Sequence, residues 1–206
     1  MAEGRGSGYH LWIVAQGQRR TASGEVATYL TELHLAMQAV VGPALDEAVG
    51  LLLDARERGA TVYFCGNGGS ASTASHWALD LTKNTRHPVK GRFRTVSLAD
   101  NLGLVTAWSN DDGYERVFLE QAQTLLRPGD VLVAISGSGN SPNVLLAVDY
   151  ARSLGCPVIG LIGFDGGQLR ERVDVALVVP GRNIEQAEDG HLILNHAICT
   201  AIKAIQ

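Results

Sequence analysis

The stretch TVYFCGNGGSASTASHWALD, residues 61–80, contains a strand, a loop and the start of a helix in direct succession. TVYFC is a short β-branched and aromatic run typical of a strand, and glycine-rich punctuation follows it before a helical stretch over 71–83. Two similar units come later: 94–100 leads into helices across 101–126, and 130–136 leads into a helix over 143–154. Strands that alternate with helices and are almost continuously apolar indicate a parallel sheet covered on both faces.

The rest of the chain completes one α/β domain. Apolar residues at helical spacing over 25–58, interrupted by VGP at 41–43, predict two N-terminal helices. Apolar strands are predicted at 157–163 and 175–180, and a last helix at 185–205. The prediction is a three-layer α/β sandwich with a five-stranded parallel sheet and an N-terminal helical extension. We expect a single domain over 23–206 and a flexible segment over 1–22.

Composition and charge argue against several classes of function. A net charge of -4 argues against a nucleic-acid partner, which usually requires concentrated positive charge. The apolar patch at 11–15 is too short for a signal peptide, and no stretch has the roughly 20 apolar residues of a membrane helix. Three scattered cysteines without a CxxC pair fit a reducing compartment, and Cys65 is expected to be a small buried residue. These features predict a cytoplasmic protein without a membrane or nucleic-acid partner.

Two loops at the carboxyl ends of predicted strands share one chemistry. GNGGS (66–70) and SGSGNS (136–141) combine glycines, which let backbone N–H groups approach a ligand, with hydroxyl groups that can donate to phosphate oxygens. The helix that follows each loop adds the positive end of its dipole. Each loop could instead merely turn the chain and cap its helix. Gly66, Gly68 and Ala71 also match a loose dinucleotide fingerprint with Asp100 as the acidic residue, but that aspartate lies too far along the chain. A phosphate cradle is therefore the favoured interpretation.

The motifs resemble a known family. CGNGGSASTASHWALDL, WSNDDGYERVF, DVLVAISGSGNSPNVLLAV and EDGHLILNHAICTAI together are similar to the SIS (sugar isomerase) domain family, and within it to the phosphoheptose isomerases. The resemblance covers about residues 25–206. It implies a flavodoxin-like SIS fold, a homotetramer, and isomerisation of sedoheptulose 7-phosphate to D-glycero-D-manno-heptose 7-phosphate.

The resemblance also implies roles for individual residues. Phosphate binding falls to the four serines Ser70, Ser136, Ser138 and Ser141. Gly137 stands where these enzymes often have threonine. Contacts to the rest of the substrate are implied for Asn67, Gly68, Gly69, Gly137, Asn110, Asp111 and Glu188.

The implied zinc site departs from the family pattern at two of four positions. Phosphoheptose isomerases typically bind zinc through His and Glu on one helix and Gln and His on the last helix. Here the corresponding residues are His76, Asp80, Glu188 and His196. These remain chemically reasonable zinc ligands, and no organic cofactor is implied. By the same resemblance Asp80 is the catalytic base and His196 the acid.

Helix geometry leaves part of this assignment open. Glu188 and His196 are about 12 Å apart along a straight helix axis at 1.5 Å per residue. Both reach one ion only if Glu188 lies at the start of the helix and leans inward. His191 is a rival partner for Glu188 at i and i+3. The changed residues also leave two other functions open: a non-catalytic sugar-phosphate-binding SIS protein, including the type that associates with the replication initiator, or an isomerase of another phosphosugar.

Overall fold

A computed structural model of the protein describes residues 20–206. Two 3-10 turns, Tyr114–Arg116 and Gly167–Glu171, accompany the regular elements. The strands are β1 (Thr61–Cys65), β2 (Arg94–Ser97), β3 (Val131–Ser136), β4 (Val158–Gly163) and β5 (Val175–Val179). The helices are α1 (Ala22–Gln38), α2 (Pro43–Arg58), α3 (Gly69–Asn84), α4 (Leu102–Asp111), α5 (Val117–Leu125), α6 (Pro142–Ser153) and α7 (Ile184–Ile205).

The sheet has five parallel strands in the order β2-β1-β3-β4-β5. Every residue of β1, β3 and β4 is buried, whereas the edge strands β2 and β5 include partly exposed positions. Continuous apolar runs belong to central strands because both faces of such a strand are covered. The predicted fold class is confirmed, and the strand order is the flavodoxin-like one.

Helices cover the two faces of the sheet in two groups. One core lies where α2, α3 and α7 meet the sheet, and the ring of Trp77 on α3 packs against Phe64 of β1 at a centroid distance of 5.4 Å. The other core lies beneath α5 and α6. Cys65, Cys156 and Cys199 are buried free thiols, and burial raises the pKa of Cys65 to about 12. Cys65 is thus a small buried residue, as expected.

Local chain chemistry explains where the structure differs from the predicted boundaries. β2 ends at Ser97, three residues early, because the chain turns so that the Asn101 side chain can cap α4 by accepting from the Leu104 N–H at 3.1 Å. Gly113, with φ 93°, divides the helical stretch predicted over 101–126. α1 begins at Ala22, capped by Thr21, inside the segment predicted to be flexible; the first 19 residues of that prediction lie outside the described part of the chain.

The N-terminal helices pack differently from each other. α2 contributes to the core beside the sheet, while α1 lies on α7, where the Tyr29 hydroxyl donates to Asp189 Oδ2 at 2.6 Å. Within residues 20–206, no single helix is long and apolar enough to cross a membrane, although α1 and α2 together, bent by 72°, pass that test of length and composition. Much of α1 remains exposed, including Val26, Leu30 and Leu35.

Candidate functional site

The strand order brings the two glycine- and serine-rich loops side by side. β1 and β3 are neighbours, and the helices that follow them, α3 and α6, contribute to cores on opposite faces of the sheet. The connections therefore diverge between β1 and β3, which leaves a crevice at the carboxyl ends of these strands. Ligands of open α/β sheets bind in such a crevice.

The first loop is held tightly from two sides. Asn67 exchanges two side-chain hydrogen bonds with Asn143 on α6, at 2.9 and 2.8 Å, and the Tyr114 hydroxyl donates to Asn67 Oδ1 at 2.8 Å. Gly66 has no room for a side chain, because a Cβ there would lie 2.8 Å from Ser70. Ser70 itself is buried in the first turn of α3. The Asn67 amide thus fixes the loop and leaves backbone groups to line the crevice.

The second loop gathers its hydroxyl groups at the start of α6. Ser136 is buried, accepts from the Gly139 N–H at 3.1 Å and lies 3.3 Å from the Ser141 hydroxyl. Ser138 accepts from the Asn140 N–H at 3.2 Å. A side chain at Gly137 would meet the Cδ1 methyl of Ile184 at the start of α7, so the end of that isoleucine fills the position where a threonine side chain would lie. The structure therefore brings three of the four predicted phosphate serines together in this loop.

A second cluster lies on α3 and α7. Nε2 of His76 is 3.4 Å from Nε2 of His196, and both are close to Oδ2 of Asp80, at 3.4 and 3.5 Å respectively. The histidine side chains are 43% and 53% exposed, whereas the Asp80 side chain is only 4% exposed. These three atoms face one another closely enough to hold a metal ion.

The Asp80 carboxylate is oriented by two amides. Asn84, one helical turn later, donates to Oδ1 at 2.6 Å, and Asn195 of α7 donates to Oδ2 at 3.2 Å. Because α7 carries both Asn195 and His196, this helix reaches Asp80 through two consecutive residues. The carboxylate therefore has one oxygen directed at Asn84 and the other at the two imidazoles.

Glu188 also lies on α7, but apart from the group formed by His76, Asp80 and His196. Its carboxylate is so close to Gly69 that any side chain at position 69 would collide with it. It is not among the atoms that lie within 4.8 Å of one another around Asp80. α7 is continuous over Ile184–Ile205, so the helix rise separates Glu188 from His196 as the sequence suggested. The structure thus joins three of the four predicted metal-binding residues.

His191 has a structural environment unlike that of His196. Its side chain is fully buried, and within residues 20–206 neither ring nitrogen makes a hydrogen bond of normal geometry. Burial lowers the pKa of His191 to about 4, and a weaker interaction with the backbone of Ile162 offsets only part of this decrease. His191 is therefore neutral at pH 7 and lies outside the group formed with Asp80, in which the structure places His196 instead.

The Asn110 and Asp111 pair ends α4 at an exposed position. Asn110 Nδ2 donates to Asp111 Oδ1 at 2.7 Å. The link from this segment to the first loop comes from Tyr114, which the sequence did not single out. The predicted pair therefore lies on a segment that Tyr114 ties to the crevice.

Comparison with known proteins now places the chain. The sequence profile described as the SIS domain matches residues 28–163. The chain belongs to the SIS domain family. It is 36% identical to the phosphoheptose isomerase of Citrifermentans bemidjiense over 179 residues, which cover 84% of this chain and 89% of the relative. It is 40% identical to that of Aliarcobacter butzleri over 165 residues, 77% and 83% of the two chains. The structure of phosphoheptose isomerase from Neisseria gonorrhoeae superposes with a TM-score of 0.82 at 34% identity and covers 90% of this chain and 100% of that one.

The resemblance to the phosphoheptose isomerase group is therefore confirmed for this SIS domain. Sequence reasoning missed the residues that support the site from behind: Asn84, Asn143, Asn195 and Tyr114. Only Asn84 had a usable signal, since it lies four residues after Asp80 on one helix face. Asn143, Asn195 and Tyr114 contact partners that lie far from them in the sequence.

Proposed function

We propose that this chain is an aldose–ketose isomerase that converts sedoheptulose 7-phosphate to D-glycero-D-manno-heptose 7-phosphate through a cis-enediol. The observation that carries the proposal is that the side chains of His76, Asp80 and His196 lie close together. The first two belong to α3, the helix after the glycine-rich loop, and His196 belongs to α7, the last helix. Relatives at 36% and 40% identity that bear the name phosphoheptose isomerase support it.

The two loops form the proposed phosphate site. Ser136 and Ser141 bring their hydroxyl oxygens within 3.3 Å of each other, at the start of a helix whose dipole attracts an anion. Ser70, in the first turn of α3, adds a hydroxyl from the second helix that begins at the crevice. The full proposed phosphate set is Ser70, Ser136, Ser138 and Ser141.

The sugar chain is proposed to run from the phosphate site toward Asp80. Gly68, with φ 54°, and Gly69 leave backbone groups open to the ligand, and the Glu188 carboxylate beside Gly69 can accept hydrogen bonds from sugar hydroxyls. The proposed contacts to the sugar are Asn67, Gly68, Gly69, Asn110, Asp111, Gly137 and Glu188.

The donor set around Asp80 fits zinc. Ligand atoms of a tetrahedral zinc ion with bonds of about 2.0–2.1 Å lie about 3.3–3.4 Å apart. The three observed separations are 3.4, 3.4 and 3.5 Å, and imidazole nitrogen and carboxylate oxygen are ordinary zinc ligands. We therefore propose His76, Asp80 and His196 as ligands, with Glu188, the fourth residue in the family pattern, placed nearer to the substrate.

The proposed chemistry needs one base and one acid. Asp80 takes a proton from carbon 1 of the ketose and returns it to carbon 2, and His196 transfers protons at the two oxygens. Because Asp80 Oδ2 and His196 Nε2 are the atoms proposed to hold zinc, the proton transfers fall to the other carboxylate oxygen, Oδ1, and the other ring nitrogen, Nδ1. Bound zinc supplies a Lewis acid that polarises the carbonyl. No organic cofactor is needed because the hydrogen and the electrons remain in the sugar.

Assembly and location complete the proposal. The exposed apolar side chains Val26, Leu30 and Leu35 of α1 support packing against other copies in a homotetramer. Three buried free cysteines support a cytoplasmic location, since thiols persist in a reducing compartment.

The test compares wild-type protein with the variants His76→Ala and His34→Ala, with and without zinc. Sedoheptulose 7-phosphate is supplied, and the aldose product is followed by NMR. We expect zinc-dependent turnover that falls more than about a hundredfold in His76→Ala, since even residues behind metal ligands contribute about 10–100-fold. His34 is exposed on α1 and pairs with Gln38, so its replacement should retain turnover.

Two other outcomes would contradict parts of this assignment. Binding of the sugar without turnover would identify a non-catalytic sugar-phosphate-binding SIS protein. Turnover that neither zinc removal nor the His76 change reduces would show that the metal-binding group has no part in the reaction.

A further inference from the structure

The geometry points to Asn195 as a positioning residue that holds the Asp80 carboxylate in place for the ion. This inference rests on the proposed function, because it concerns the same carboxylate. Asn195 is fully buried on α7, next to the exposed His196. Its amide nitrogen donates to Asp80 Oδ2 at 3.2 Å, the oxygen that also faces the two histidines.

Burial makes the Asn195 contact difficult to replace. Asp80 is 3% exposed and Asn195 is 0% exposed, so water cannot easily occupy the amide position if the side chain is removed. The Asn195 oxygen is also occupied, because it accepts from the Cys199 thiol at 3.6 Å. The amide is therefore fixed in the orientation that directs its N–H to Asp80.

The contact also fixes the relative position of two helices. Asp80 and His76 lie on α3, whereas Asn195 and His196 lie on α7. A buried hydrogen bond between these helices beside the cluster helps to hold His196 at its distance from Asp80, together with the apolar packing of α3 against α7. The Asn84 amide cannot do this, because it belongs to the same helix as the carboxylate that it contacts.

The same contact suits the length of the aspartate side chain at position 80. A carboxylate oxygen has lone pairs enough to accept from Asn195 and to face an ion at the same time. The shorter side chain leaves the carboxylate close to α3, and the Asn195 amide reaches it there from α7. A glutamate at position 80 would extend one methylene further and would crowd this amide, so residues 80 and 195 should act as a matched pair.

The test measures zinc affinity of the full chain by competition with a chelating dye, alongside kcat, KM and the melting temperature of the metal-free protein. Asn195→Leu should raise the zinc Kd about 10–100-fold, as loss of partners behind metal ligands does elsewhere. It should lower kcat with little change in KM. The control Leu194→Ala removes a buried side chain from the same turn of α7 and should leave the zinc Kd within about twofold at a similar loss of melting temperature.

Further variants keep the inference testable if Asn195→Leu folds poorly. Asn195→Ser keeps a polar group but is too short to reach Asp80, and it should show the same loss of zinc affinity. In a double-mutant cycle with Asp80→Glu, the loss of zinc affinity caused by Asn195→Ala should be smaller in the Asp80→Glu protein than in the wild type.

The outcomes separate this inference from the proposed function. Wild-type protein that binds zinc as tightly as Asn195→Leu and Asn195→Ser would overturn the role of Asn195 alone. Equal losses of zinc affinity from Asn195→Ala in the wild-type and Asp80→Glu proteins would overturn the idea that residues 80 and 195 act as a matched pair. Wild-type protein that binds no zinc would overturn the proposed metal site and the positioning role with it.

Discussion

Acid should destabilise this protein through His191. The ring is fully buried, and burial holds its pKa at about 4 in the folded chain against an ordinary value near 6.5. The unfolded chain therefore binds more protons than the folded chain between these two values. The stabilising contribution is complete above pH 6.5 and is lost as pH falls toward 4, and between pH 7 and pH 5 it should decrease by about 2 kcal/mol.

Urea denaturation at pH 7 and pH 5 measures this contribution, with tryptophan fluorescence, to which the buried Trp77 contributes, as the signal. Both measurements use one protein concentration and a chelator, so that assembly and metal binding do not change. His191→Leu should remove about 2 kcal/mol of the pH-dependent loss, equivalent to roughly 1 M urea at an m value near 2 kcal/mol/M. Leucine should be tolerated, because within residues 20–206 the imidazole nitrogens make no hydrogen bond of normal geometry and interact only weakly with the backbone of Ile162. Equal losses between pH 7 and pH 5 in wild type and His191→Leu would refute the reasoning.

Two further substitutions test the crevice. Gly69→Ala should displace the Glu188 carboxylate and lower kcat/KM roughly 10–100-fold. The control Gly50→Ala lies on α2, where a Cβ meets nothing within 4 Å, and should only stabilise the protein by about 0.5–1 kcal/mol. Equal kcat/KM in the two variants would contradict a role for Glu188. Tyr114→Phe removes the hydroxyl that holds Asn67 and should cost about 0.5–1.5 kcal/mol of stability while raising KM, and an unchanged KM in a steady-state assay would show that this contact does not shape the site.

Local sequence patterns were sufficient to predict the elements that depend on neighbouring residues in the chain. The strand at 61–65, the loops at 66–70 and 136–141, and the helix pair broken at 41–43 follow from apolar spacing and glycine placement. The boundary of β2 was less accurate, because its end depends on the Asn101 cap of the next helix. The split of the helices over 101–126 depends on a single positive φ at Gly113.

The identity of the site residues came from the family resemblance, and their arrangement came from the fold. The helix rise indicated that Glu188 and His196 could bind one ion only if Glu188 leaned inward from the start of the helix. The structure instead has Glu188 beside Gly69 and His196 beside Asp80. The sequence favoured His196 and kept His191 as a rival. The structure separates them by burial, which depends on how α7 packs against the sheet.

The sequence by itself determined the alternation of strands and helices, the two hydroxyl-rich loops and the pairing of His76 with Asp80 on one helix face. Each of these depends on residues within a few positions of one another. Only the tertiary structure decided that β1 lies next to β3 and that α3 lies beside α7. His76 and His196 are 120 residues apart in the chain, and their contact exists because helices on one face of a parallel sheet must pack against each other to bury their apolar sides.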